Sequence, residues 1–63
     1  MPLIEVKLFE SRLEDAATER ELIAELTDAV ARVLGDDARE QTWVVLQGMP
    51  PARWGVAGRP GGA

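Results

Sequence analysis

The sequence predicts an α+β domain in which one long helix joins two strands of a small sheet and a short C-terminal hairpin follows. Three observations predict it. Residues 3–9 alternate apolar and polar, residues 14–34 carry apolar side chains at three- and four-residue spacing, and Thr42–Gln47 is a run rich in β-branched and aromatic residues. Strand, helix and strand in that order form a βαβ unit, which requires parallel strands and a right-handed crossover.

In the first strand Ile4, Val6 and Leu8 point one way and Glu5 and Lys7 the other, the two-residue period of a strand with one buried face. Leu3 and Phe9 are apolar on the second face, so both ends of that face are expected to be covered. Ser11 and Glu14 have the spacing of a capping box, which predicts a helix starting near Glu14. Leu22, Ile23, Leu26, Ala29, Val30, Val33 and Leu34 fall on one stripe of that helix. Glu21, Glu25, Asp28 and Arg32 fall on the other side, with Asp28 and Arg32 spaced as a favourable pair. Gly35 ends the helix with a left-handed residue. The second strand breaks at Gly48–Pro51, a hairpin is expected within Arg53–Gly58, and Arg59–Ala63 reads as a loose tail.

The chain has 63 residues, which allows one domain over 1–63 and no more. A core of this size rarely supplies more than about 3–5 kcal/mol, so such chains rely on disulfides, metals or self-association. There is no cysteine and no histidine, which removes disulfides and thiolate or imidazole metal sites. Neither a metal nor a cofactor is expected. Self-association remains, and 46% apolar residues provide the surface for it. The net charge of −4 disfavours nucleic acid as a partner. No apolar run approaches the ~18 residues of a membrane span, and the N-terminus lacks the pattern of a signal peptide, so a cytoplasmic location is expected.

Pro2 is the candidate catalytic residue. Within a chain a proline nitrogen is an amide and no base. Once Met1 is removed, it becomes a secondary amine that can hold and release a proton, and the strand behind it fixes its position.

The order of Pro2, the strand "PLIEVKLFE", Arg12, one long helix, the strand "TWVVLQGM" and the segment "WGVAG" resembles the 4-oxalocrotonate tautomerase family, over nearly the whole chain. The resemblance implies a β-α-β fold with a C-terminal hairpin, assembled into dimers and, from three dimers, a hexamer. It implies an isomerase in which the N-terminal proline moves a proton between atoms of a small unsaturated 2-oxo acid. Arg12, supplied by a neighbouring subunit, would bind the substrate carboxylate, and Trp54 would form an apolar wall near the proline. These roles fit the chemistry. An amine works as both base and acid when its pKa lies near the working pH, and burial beside an indole lowers that value. A guanidinium grips a carboxylate with two hydrogen bonds.

One position departs from the pattern. The best-known members carry a second arginine early in the second strand, and here that position is Trp43, which offers one N–H and no charge. Arg39 lies four residues earlier, about 13 Å along an extended chain and too far to substitute. Arg53 and Arg59, from another subunit, are the candidate replacements, and Gln47 is a candidate hydrogen-bond donor. Two other readings stand beside the tautomerase. One is a hydratase or dehalogenase using the same proline, with Glu5, Glu10 or Glu40 activating water. The other is a non-catalytic oligomeric module that binds a small ligand.

Overall fold

A computed structural model describes residues 1–61. Strand β1 (Leu3–Phe9) leads through a 3₁₀ turn (Glu10–Leu13) into helix α1 (Ala16–Leu34). A second 3₁₀ turn (Asp36–Gln41) returns the chain to strand β2 (Trp43–Met49). A short turn (Pro51–Arg53) then precedes a hairpin of β3 (Gly55–Val56) and β4 (Arg59–Pro60). β1 and β2 pair in parallel, with Leu3 opposite Trp43 and Phe9 opposite Met49. The expected β-α-β order with a terminal antiparallel hairpin is therefore the observed one.

Local chemistry sets the boundaries. The helix begins later than the Ser11–Glu14 spacing predicts. Ser11 lies inside the 3₁₀ turn, and the cap is Asp15, whose Oδ1 accepts from the Ala17 amide at 2.9 Å. Gly35 ends the helix at φ 106°, a backbone angle that side chains with a Cβ resist. Asp28 pairs with Arg39 at 2.6 Å, not with Arg32 one turn away. Gly48 does not break β2, which runs on to Met49. The hairpin sits two residues later than expected, and Arg59 and Pro60 form its second strand in place of a loose tail. Residues 62 and 63 of that segment lie outside the described residues.

The helix lies over β2 more than over β1. Ile4, Val6 and Leu8 of β1 and Val44 and Leu46 of β2 share the inner sheet face and are only half-buried. Ala31, 7% exposed, is the one buried apolar residue among those described. On the helix stripe, Val33 remains 82% exposed, beyond the reach of the sheet. The chain exposes 4874 Å², whereas a folded monomer of 6.9 kDa is expected to expose about 4000 Å². Its radius of gyration is 14.2 Å, against roughly 11 Å for a compact chain of this length. Two strands and one helix thus form two layers without closing a core. Among the described residues no helix is long and apolar enough to cross a membrane.

Candidate active site

Because β1 and β2 are parallel, both strands begin at one end of the sheet and finish at the other. Pro2 precedes β1 at the starting end. Its carbonyl accepts a hydrogen bond from the Trp43 amide at 2.9 Å, which ties it to the first residue of β2. Pro2 itself is half-buried. Leu3 and Trp43 stand opposite one another in the ladder and are 54% and 59% exposed. Trp43 therefore neighbours Pro2.

The finishing end collects the other candidates. Phe9 and Trp54 pack against each other with ring centroids 4.6 Å apart and planes tilted by 51°, within the range of favourable aromatic contacts. Trp54 is held from behind, because the Gly61 amide donates to its carbonyl. A Cβ on Gly61 would lie 3.0 Å from that same oxygen, so the close approach depends on glycine. Lys7, Met49, Arg53, Trp54 and Gly55 line a depression of about 280 Å³. Two cations and an indole wall suit an anion with an apolar body. Lys7 escaped the sequence reading, although it shares the outer face with Phe9 by the two-residue period of the strand.

Arg12 projects from the 3₁₀ turn after β1 and lines a wider trough of about 620 Å³ with Leu8, Thr18, Glu21, Leu22 and Glu25. The trough exists because the helix covers β2 and leaves the β1 side open. Gly48 brings the turn of Arg12 close to the sheet. A Cβ there would lie 3.2 Å from both Cα and Cβ of Glu10.

Among the described residues, the ion pairs belong to Arg39, with Asp28 at 2.6 Å and Asp36 at 3.6 Å. The hydrogen bond to Asp28 raises the Arg39 guanidinium above its ordinary value, and the group is cationic at any working pH. Arg39 is thus engaged elsewhere and is not delivered to Trp43. Arg59 is exposed on β4, opposite Val56. Gln47 and Glu5 sit mid-sheet on the outer face, Glu10 opens the turn of Arg12, and Glu40 is exposed before β2.

Within one chain the candidates form two groups. Pro2 and Trp43 stand at one end, and Arg12, Arg53 and Trp54 at the other, separated by the length of β1, roughly 20 Å. No single chain joins them.

Comparison with known proteins identifies the family. No solved structure matches the chain significantly. Two curated proteins of Ralstonia nicotianae are similar to it. Probable tautomerase RSp0893 is 47% identical over 60 residues, covering 95% of this chain and 81% of the relative. Probable tautomerase RSp1151 is 32% identical over 59 residues, covering 94% of this chain and 86% of the relative. The family model described as "Tautomerase enzyme" matches residues 2–63, and the chain belongs to that family.

Proposed function

We propose that the protein is an isomerase that interconverts the enol and keto forms of a small unsaturated 2-oxo acid, with the nitrogen of Pro2 as general base and acid. The observation that carries this reading is the hydrogen bond from the Trp43 amide to the Pro2 carbonyl. It fixes the residue through its backbone and leaves the nitrogen without a structural duty. Met1 must first be removed, because its peptide bond makes that nitrogen an amide.

The neutral amine takes the enol hydroxyl proton, the electron pair spreads as a dienolate, and the amine returns a proton to carbon. Arg12 binds the substrate carboxylate through two charge-assisted hydrogen bonds. Trp54 excludes water and, by disfavouring charge, lowers the pKa of the amine. Arg53 and Arg59 add positive potential.

The site is shared between copies. The exposed surface in excess of a closed monomer and the separation of the two groups support this. A two-fold axis that runs a second β1 antiparallel to the first brings the second copy's Arg12 and Trp54 to Pro2. Dimers of this kind, assembled into a hexamer, are the expected state.

The test is ketonisation of phenylenolpyruvate by protein whose intact mass shows that Met1 is absent. Pro2→Ala is expected to remove most of the activity. An undiminished rate in that variant would overturn the mechanism.

A further inference from the structure

We infer that Trp43, with Leu3, forms the binding surface for an apolar substrate tail, so that the enzyme prefers monocarboxylates with an aromatic or branched apolar end over dicarboxylates. The inference rests on the tautomerase reading and adds the substrate class.

Four observations carry it. Trp43 is tied by its amide to the Pro2 carbonyl, and its Cα lies one strand spacing, about 4.8 Å, from that of Leu3. The Pro2 nitrogen thus lies at the same end of the sheet as this pair. The two side chains stand on the same sheet face with Val45, and the three are 59%, 54% and 41% exposed. The apolar surface is also local. Further along the face, Glu5, Lys7 and Gln47 interrupt it before Phe9 and Met49, so the Pro2 end is a small patch of substrate size and not part of a continuous apolar face. Finally, the cation nearest in sequence is unavailable, because Arg39 is held by Asp28 and Asp36.

The consequence is a polarity across the site. A second copy's Arg12 receives the carboxylate head, while the tail meets an indole and a leucine. The indole has one N–H donor and cannot balance a carboxylate. A second carboxylate placed against the indole and Leu3 would lose water and gain no charge from either side chain, which is costly. A phenyl ring in the same place loses only apolar contact with water and stacks on Trp43.

The test compares the wild-type protein with Trp43→Ala, Trp43→Phe and Trp43→Arg on phenylenolpyruvate and on the dicarboxylate 2-hydroxymuconate. Wild type is expected to favour the phenyl substrate. In Trp43→Ala the ratio of the two kcat/KM values should fall roughly ten- to hundred-fold, chiefly through KM for the phenyl substrate. Trp43→Phe should restore most of the ratio, and Trp43→Arg should shift it toward the dicarboxylate. An unchanged ratio in Trp43→Ala, or a wild type that prefers the dicarboxylate, overturns the inference. So does a change of native mass in Trp43→Ala with the ratio preserved, which would assign the indole to subunit packing.

A binding titration separates this outcome from failure of the activity reading. If neither enol turns over, cinnamate and fumarate replace them. Tighter binding of cinnamate that is lost in Trp43→Ala upholds the tail site while the isomerase reading falls. Equal binding, or no binding of either, removes both.

Discussion

The backbone amide of Trp43 donates to the carbonyl of Pro2 at 2.9 Å. This bond extends the parallel ladder one residue beyond β1 and holds the N-terminal proline by its carbonyl side, while its nitrogen stays free of the sheet. A terminus of this kind is ordinarily among the least ordered parts of a domain. Here the second strand anchors it, so Pro2 acquires a defined position.

The first prediction concerns that nitrogen. A free α-amino group titrates near ~7.7–8.0 and a secondary amine higher, while burial beside an indole moves the value down. In the proposed mechanism the unprotonated form is the base, so kcat/KM for ketonisation should rise with pH along a single limb, and activity should be lost as pH falls through it. Pro2→Ala should lower the rate by roughly 10²–10⁴. Protein that retains Met1 should be inactive at every pH. A pH–rate profile paired with intact mass measures all three.

The second prediction links Gly48 to Arg12. Gly48 lets the 3₁₀ turn after β1 lie against the sheet, with Glu10 Cα 3.2 Å and Leu13 Cδ1 3.5 Å from where a Cβ would stand. Gly48→Ala must push that turn away by a few tenths of an ångström, and overpacking of this sort costs about 1–3 kcal/mol. Because Arg12 rides on the turn, KM for a carboxylate substrate should rise several-fold in Gly48→Ala. Arg12→Ala should raise it roughly ten- to hundred-fold, the range of a charged hydrogen bond. Arg12→Lys should recover little, since an ammonium lacks the planar fork. A fall in Tm in Gly48→Ala with KM unmoved would make Gly48 a packing residue only.

The reach of the sequence differs between elements for physical reasons. The alternation of Ile4, Val6 and Leu8 and the helical stripe around Leu26 and Val30 are periodic, and local periods can be read without a structure. The cap could not be chosen so simply. Ser11 and Asp15 both have the chemistry, and the choice fell to Asp15 because a 3₁₀ turn takes up residues 10–13. Arg39 found its carboxylate at Asp28, eleven residues back, a pairing set by the return of the chain and not by helical spacing. Gly48 was read as a breaker although its inner-face position beside Glu10 makes it part of β2. Of the candidate site residues, Pro2 stands out by its own chemistry, whereas Arg12 and Trp54 are singled out through the family resemblance. Their separation by the length of β1 was not legible, because it follows from parallel pairing in three dimensions.

The third prediction tests the cap. The Asp15 carboxylate satisfies the Ala17 amide at 2.9 Å, and loss of such a cap costs about 1 kcal/mol. Asp15→Ala should lower stability by that amount, while Ser11→Ala, which removes no cap, should change it by less than about 0.5 kcal/mol. Urea unfolding of both variants at one protein concentration decides it. The reverse order would return the cap to Ser11.

The last prediction concerns the hairpin that supports Trp54. Its two-residue turn has Ala57 at φ 53° and Gly58 at φ 80°, both positive, as a type I′ turn demands. Glycine accepts this freely, but an alanine Cβ crowds the neighbouring carbonyl at a cost of roughly 1–2 kcal/mol. Ala57→Gly relieves the crowding and in exchange loosens the unfolded chain by about 0.4–1 kcal/mol. Ala57→Asn relieves much of it without that penalty, because asparagine tolerates the left-handed region. The expected order of stability is therefore Asn above Gly, with Gly level with or above Ala. Since Gly61 closes the hairpin against the Trp54 carbonyl, the same order should appear in hydrogen-exchange protection of the Gly61 amide. Melting at fixed protein concentration guards against assembly effects on Tm. A less stable Ala57→Asn variant would show that the turn is shaped by contacts with another subunit and not by its own backbone preference.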